Sequence, residues 1–257
     1  MRRLLALTAF FLTALFVVAV AHGELVQSGS LRLSFNGRLA PKALPRDRPA
    51  PVNVTLSGSV ISTDGKQPPR LRSISIGFNR YGKISTAGLP TCNADELQST
   101  TTEGALGVCK PALVGHGRFG ANVDFPGRAP LPVEGQMLAF NGTAGGKPVI
   151  LMHIYGSNPV QATFVLTFRI THRKGIFGTV FSTKIPKIAS DLGYVTDIDL
   201  TFGRKYRYKG EPRSFLSASC SAPAGFPIAP FLLAQGSFSF ANGQTLATTL
   251  ARTCRVR

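Results

Sequence analysis

The chain has 257 residues, 44% of them hydrophobic and only 16% charged, a composition that excludes a disordered protein and suits one with a sizeable core. Its 29 Lys and Arg against 12 Asp and Glu give a net charge of +17, which disfavours cationic partners and favours anionic ones. Those partners include acidic polymers, phospholipid headgroups and extracellular nucleic acid. The basic residues are scattered along the chain, which is also the pattern of an ordinary solvated surface.

The first element is a secretory address. Met1-Arg2-Arg3 is a positive n-region, residues 4–21 are uncharged and mostly apolar, and Ala19-Val20-Ala21 is a small-x-small cleavage pattern. This predicts a signal peptide over residues 1–21 and a single all-β domain over 22–257. The apolar run is also long enough for an uncleaved signal-anchor, which stays open as the alternative. No Cys lies near Ala21 to carry a lipid anchor, and no second long apolar run follows. A cleaved chain therefore has no expected transmembrane span, and its place is extracytoplasmic: secreted or at the cell surface.

Strand signals follow in order. Leu31, Leu33 and Phe35 alternate with polar residues, as do Val52, Val54 and Leu56, then Ile74, Ile76 and Phe78. A Pro-rich loop, residues 41–51, separates the first two. After Cys92, Asn93 is an N-cap for a helical turn at 94–97, and the Thr- and Gly-rich remainder up to Cys109 reads as a loop excursion. Strands resume at 112–125, 137–140 and 149–155, the last apolar on both faces. Residues 160–171 alternate most regularly, with Ala162, Phe164, Leu166, Phe168 and Ile170 on one face. Residues 176–185 and 194–209 continue the pattern. Asn242-Gly243 joins 236–240 to 246–254 in a hairpin. With no long amphipathic helix, about ten to twelve strands predict an antiparallel β-sandwich or jelly-roll-like fold. Two β domains joined near 126–132 are the less favoured arrangement.

The four cysteines, Cys92, Cys109, Cys220 and Cys254, predict two disulfides in an oxidising compartment. Three connectivities exist, and pairing of sequence neighbours is the favoured one. A zinc site is the weaker rival, because no Cys-x-x-Cys spacing is present.

Chemistry is scarce. The chain lacks a Gly-x-Ser-x-Gly elbow, Ser-x-x-Lys, His-Glu-x-x-His and phosphate-binding glycine patterns. No catalytic residue, metal or cofactor is expected. Asp197 and Asp199, two apart on a strand, are the only paired acids with a candidate acid/base or Ca²⁺ role, against the plainer reading of a wet strand face. His116 and His172 read as surface residues and His153 as a hydrogen-bonded core imidazole. In 204–209, Lys205, Arg207 and Lys209 share one face of a strand while Tyr206 and Tyr208 share the other. Cations interleaved with aromatics suit an anionic polymer, although charge on an edge strand also serves to block aggregation. No motif for specific nucleic-acid recognition accompanies them. Asn53-Val54-Thr55 and Asn141-Gly142-Thr143 match the glycosylation acceptor pattern.

The segments Leu89-Pro90-x-Cys92, Cys109-Lys110-Pro111-Ala112-Leu113-Val114-Gly115-x-Gly117 and Ser217-Ala218-Ser219-Cys220, with the late Cys254, resemble a group of exported bacterial proteins, chiefly actinobacterial. The resemblance spans most of residues 22–257 and implies an exported β protein with paired cysteines; it brings no activity with it. The function expected from the residues is a non-catalytic binding or cell-envelope-associated module for an anionic surface. A secreted glycan hydrolase with a site built from distant residues is the alternative.

Overall fold

The computed structural model describes residues 24–158, 161–187 and 191–257; the signal peptide expected at 1–21 lies outside them. In chain order the strands are β1 Glu24–Ser28, β2 Leu31–Ala40, β3 Ala43–Leu44, β4 Ala50–Pro51, β5 Asn53–Ser62, β6 Leu71–Asn79 and β7 Gly82–Ile84. After helices α1 Ala94–Leu97 and α2 Thr102–Cys109 come β8 Leu113–Val123, β9 Leu131–Ala144, β10 Lys147–Asn158, β11 Ala162–His172 and β12 Phe177–Lys184. Then follow β13 Gly193–Phe202, β14 Lys205–Tyr208, β15 Glu211–Ser214, β16 Leu216–Ala218, β17 Ile228–Phe240 and β18 Thr245–Val256.

All-β is correct, but two packed sheets are not what forms. One 13-stranded sheet runs in the order β1-β2-β5-β13-β8-β9-β10-β11-β12-β6-β17-β18-β3 and curls into a half-barrel. Every pairing in it is antiparallel except β18 with β3. A sheet this wide must curl, because its twist accumulates from strand to strand. Register breaks at Val195/Asp197 in β13, Phe177/Thr179 in β12 and Leu232/Ala234 in β17 add local bends. The alternation read in the sequence is the same in one curled sheet as in two flat ones, so periodicity could not separate them. Among the described residues the strands number eighteen rather than ten to twelve, the extra ones being short pieces such as β3, β4, β7 and β16.

The curl brings the first strands back against the last. Phe35 of β2 meets Phe238 of β17 edge to face with ring centres 5.5 Å apart. Arg252 Nε of β18 donates to Gly37 O of β2 at 2.6 Å, and Gln244 Nε2 donates to Ser28 O at 3.3 Å. Side chains, not a backbone ladder, close this seam.

Strand direction sorts the connections into two ends. One, the open end, carries residues 29–30, 63–70, 124–130, 185–187, 191–192 and 241–244. The other carries 41–52, 80–112, 145–146, 173–176 and 203–227, together with both disulfides, Cys92–Cys109 and Cys220–Cys254. Residues 126–132, the less favoured interdomain joint, fall in the β8–β9 turn at 124–130 and the start of β9. Asn242-Gly243 does mark the β17–β18 hairpin, but only Gly243 is left-handed, at φ 83°. Gly243 N–H donates to Phe240 O at 3.1 Å, the geometry of a type I turn with a following left-handed glycine.

Inward side chains form the main core. A second core lies outside the barrel wall, where α1 and α2 cover Leu138, Phe140, Val149 and Leu151 of β9 and β10. Both faces of 149–155 are apolar for this reason. Helix α2 was read as loop, since Thr101, Thr102, Gly104 and Gly107 are weak helix formers. It forms because Thr101 Oγ1 accepts from Gly104 N–H at 3.1 Å and Cys109 ties its end to Cys92.

His153 is fully buried under this cover. Its Nε2 lies 3.0 Å from Thr100 O, while Nδ1 has no partner. Burial holds its pKa below the ordinary 6.5, favouring the neutral ring. The unfolded chain therefore binds a proton that the folded chain refuses. Stability contributed by the neutral ring is complete above pH 6.5 and is lost as pH falls from there through the folded value. Thermal melts from pH 8 to 5 should show this fall, and His153→Gln should flatten it; an equal fall in both proteins would assign the pH dependence elsewhere.

Candidate functional site

The chemistry-bearing residues stay dispersed. Asp197 and Asp199 project outward from β13 and are exposed, while Ile198, Leu200 and Phe202 face the core behind them. Asp197 accepts from Thr196 Oγ1 at 2.9 Å. His116 is exposed on β8, and His172 is exposed on β11 with Nδ1 3.4 Å from Thr179 Oγ1. Among the described residues, only Cys92, Glu96 and Cys109 gather as metal-ligating types, and the two sulfurs are bonded to each other. A disulfide offers no thiolate for zinc. Asn53 is exposed, whereas Asn141 is 1% exposed and donates from Nδ2 to Pro90 O at 3.0 Å, so the second glycosylation pattern is sealed inside the fold.

The basic segment at 204–209 is one half of a hairpin. Lys209 and Gly210 both have positive φ, 52° and 82°, and turn β14 into β15. Lys205, Arg207, Lys209 and Arg213 are exposed. The tyrosines face the body of the protein: Tyr206 OH donates to Ala87 O at 2.9 Å, and Tyr208 packs over Gly88, where any Cβ would meet its ring. Lys209 Nζ lies 5.5 Å from the centre of the Tyr208 ring. Arg204 donates to Leu113 O at 2.8 Å and anchors the base. The tyrosines therefore hold the hairpin in place, and its cations stand clear of it.

Folding gathers other cations at this same end. Lys42, Arg46 and Arg48, then Arg80 and Lys83, Lys110, Arg173 and Lys174 all lie on its connections, against Asp47, Asp95, Glu96, Glu103 and Glu211. At the open end, Lys66, Arg70 and Arg72 pair with carboxylates, while Arg128 stands exposed. Arg72 Nη2 lies 2.6 Å from Asp191, Arg70 Nε 3.8 Å from Asp191, and Lys66 4.0 Å from Asp64. The Arg72 guanidinium holds the Asp191 carboxyl below its usual range. Scattered in sequence, the excess positive charge is concentrated at the disulfide end in space.

A second feature had no signal in the sequence. The half-barrel encloses a cavity of about 390 Å³ between its opposed walls. Val60, Phe119 and Ile198 line one side; Ile74, Met152 and Leu166 line the other. Towards the disulfide end the walls meet, with Phe181 stacked edge to face on Phe202 at 6.2 Å and on Phe78 at 5.2 Å. Towards the open end the lining reaches Phe125 and Leu131, which are 42% and 37% exposed, so the cavity meets solvent there. The polar residues that border the lining, Ser34, Ser59, Asn122, Thr196 and Asp197, lie in its open-end half, with the Asp197 carboxylate turned to the outer face. Each methylene moved from water into such a lining gains about 0.8 kcal/mol. Water fits the interior poorly, because a buried water needs about 2–4 polar partners. Alternation predicts which residues face inward; it does not predict whether opposed faces touch or stand apart.

No helix among the described residues is long and apolar enough to cross a membrane. Comparison with known proteins returned no matching family, no matching curated protein and no matching solved structure.

Proposed function

We propose that the chain is a non-catalytic binding protein of the extracytoplasmic space that holds to an anionic surface through its disulfide end. The observation carrying this reading is the spatial sorting of charge: Lys and Arg crowd one end, while at the other end Lys66, Arg70 and Arg72 pair with carboxylates. Two disulfides accord with an oxidising compartment. The β14–β15 hairpin lies at that end with its cations exposed, and Lys205, Arg207 and Lys209 are the residues expected to touch the surface. The glycan hydrolase alternative draws no support from the dispersed Asp197, Asp199 and histidines, which form no common cluster among the described residues.

Adsorption to an anionic polymer matrix and to anionic vesicles tests the reading. Retention should weaken steeply with salt, because the screening length falls to about 10 Å at 0.1 M. Lys205→Glu with Arg207→Glu should reduce adsorption several-fold at low salt, while Arg128→Glu at the open end should change it little. Equal losses from the two ends would replace the oriented reading with diffuse charge attraction.

A further inference from the structure

We infer that the cavity is a binding site for a single-chain amphiphile, with its hydrocarbon chain inside the half-barrel and its polar head at the open end. This site is separate from the basic end and does not rest on the surface-binding reading.

Four observations carry it. The volume, about 390 Å³, falls in the range of roughly 300–1,000 Å³ typical of small-molecule sites. The interior walls present aliphatic and aromatic side chains from both sides of the curled sheet, so nothing inside can satisfy a polar group. The Phe78–Phe181–Phe202 stack closes one end, which makes the cavity blind and fixes the direction of entry. Polar residues of the lining are confined to the open-end half, where Ser34, Ser59, Asn122 and Thr196 border it. A ligand complementary to this arrangement is apolar over its length and polar at one tip.

The mouth also suits uptake from an apolar phase. Phe125-Pro126-Gly127-Arg128 forms a tight turn: Arg128 N–H donates to Phe125 O at 3.1 Å, and Gly127 has φ 73°. Proline before a left-handed glycine is the type II pattern. It fixes Phe125 beside the opening with Arg128 exposed next to it. The fatty acids and lysolipids share the required chain; they differ in the head presented to this rim.

Fluorescence titration with parinaric acid, a naturally fluorescent fatty acid, tests the site in the purified protein. One saturable site of micromolar affinity or tighter is expected. Displacement by oleic acid and by lysophosphatidylcholine in parallel would distinguish a carboxylate from a phosphodiester head. Ala121→Phe fills the interior and Ala162→Trp narrows the mouth; each should weaken binding at least tenfold. Ala162 is only half-buried, so its variant keeps the test valid if Ala121→Phe fails to fold. Both should leave adsorption to anionic polymer unchanged, which separates this site from the basic end. The absence of saturable binding, or equal binding by wild type and a folded Ala162→Trp, would overturn the inference.

Discussion

Replacing Cys220 and Cys254 by alanine is expected to lower stability by about 4 kcal/mol, the chain-entropy value for a loop of this size. The pair closes a separation of 34 residues, with Cα atoms 5.7 Å apart. Position adds to length here. Cys254 lies on β18, the strand that returns against β2 to complete the half-barrel, and Cys220 N–H donates to Pro45 O at 2.9 Å. Losing the bond frees the seam strand and the loop that covers its end together. For a chain of this size the loss corresponds to about 10 °C in melting temperature, taking roughly 2–4 °C per kcal/mol. Urea unfolding should show a lower midpoint and a somewhat steeper slope, because the unfolded chain without its cross-link exposes more surface. The Cys92–Cys109 pair closes only 17 residues and ties a cover on the outside of the wall. Its loss should appear first as faster amide exchange in residues 93–112 and only secondarily in the global midpoint. If the two alanine pairs proved equivalent in both measurements, the seam would not carry the importance given to it here.

The second large effect is expected where β2 and β18 approach. A Cβ on Gly37 would lie 2.8 Å from Leu250 Cδ1 and 3.0 Å from Leu56 Cδ2, closer than such atoms can sit. Leu250 is fully buried. Leu250→Ala should therefore cost about 2–5 kcal/mol through lost burial and the hole left behind. Gly37→Ala should cost about 1–3 kcal/mol through overpacking at the same point. The two changes are complementary in volume, so the double variant should be more stable than the sum of the singles by about 0.5–3 kcal/mol. Chemical denaturation of the four proteins measures the coupling. Simple additivity would mean that Gly37 does not make room for Leu250 and that the seam is packed some other way.

Much of the local structure was legible in the residues. Leu31, Leu33 and Phe35 point inward as their alternation requires, and so do Leu166 and Phe168. Asn93 starts a helical turn, with its N–H donating to Glu96 at 3.0 Å. Sequence-near pairing of the cysteines was the favoured connectivity, and it is the one that forms. The burial of His153 followed from its place among Val149 and Leu151, although what meets its ring is Thr100, in the link between α1 and α2, and not a second sheet. The tyrosines of the basic segment show where such reading stops. Their position opposite the lysines was evident, but their contacts with Ala87 and Gly88 come from a distant loop. A side chain's period says which way it points and nothing about what waits there.

The sequence by itself determined the strand content, the inward faces, the paired cysteines and the overall positive charge, because each depends on residue type and on spacing within a few positions. Only the tertiary structure decided that the strands form one curled sheet, that the scattered cations collect at one end, and that opposed apolar faces stand apart over a cavity. Those outcomes depend on accumulated twist, on register breaks and on close approaches such as Gly37 against Leu250. They are set by residues far apart in the chain, whose distances in space no local pattern records.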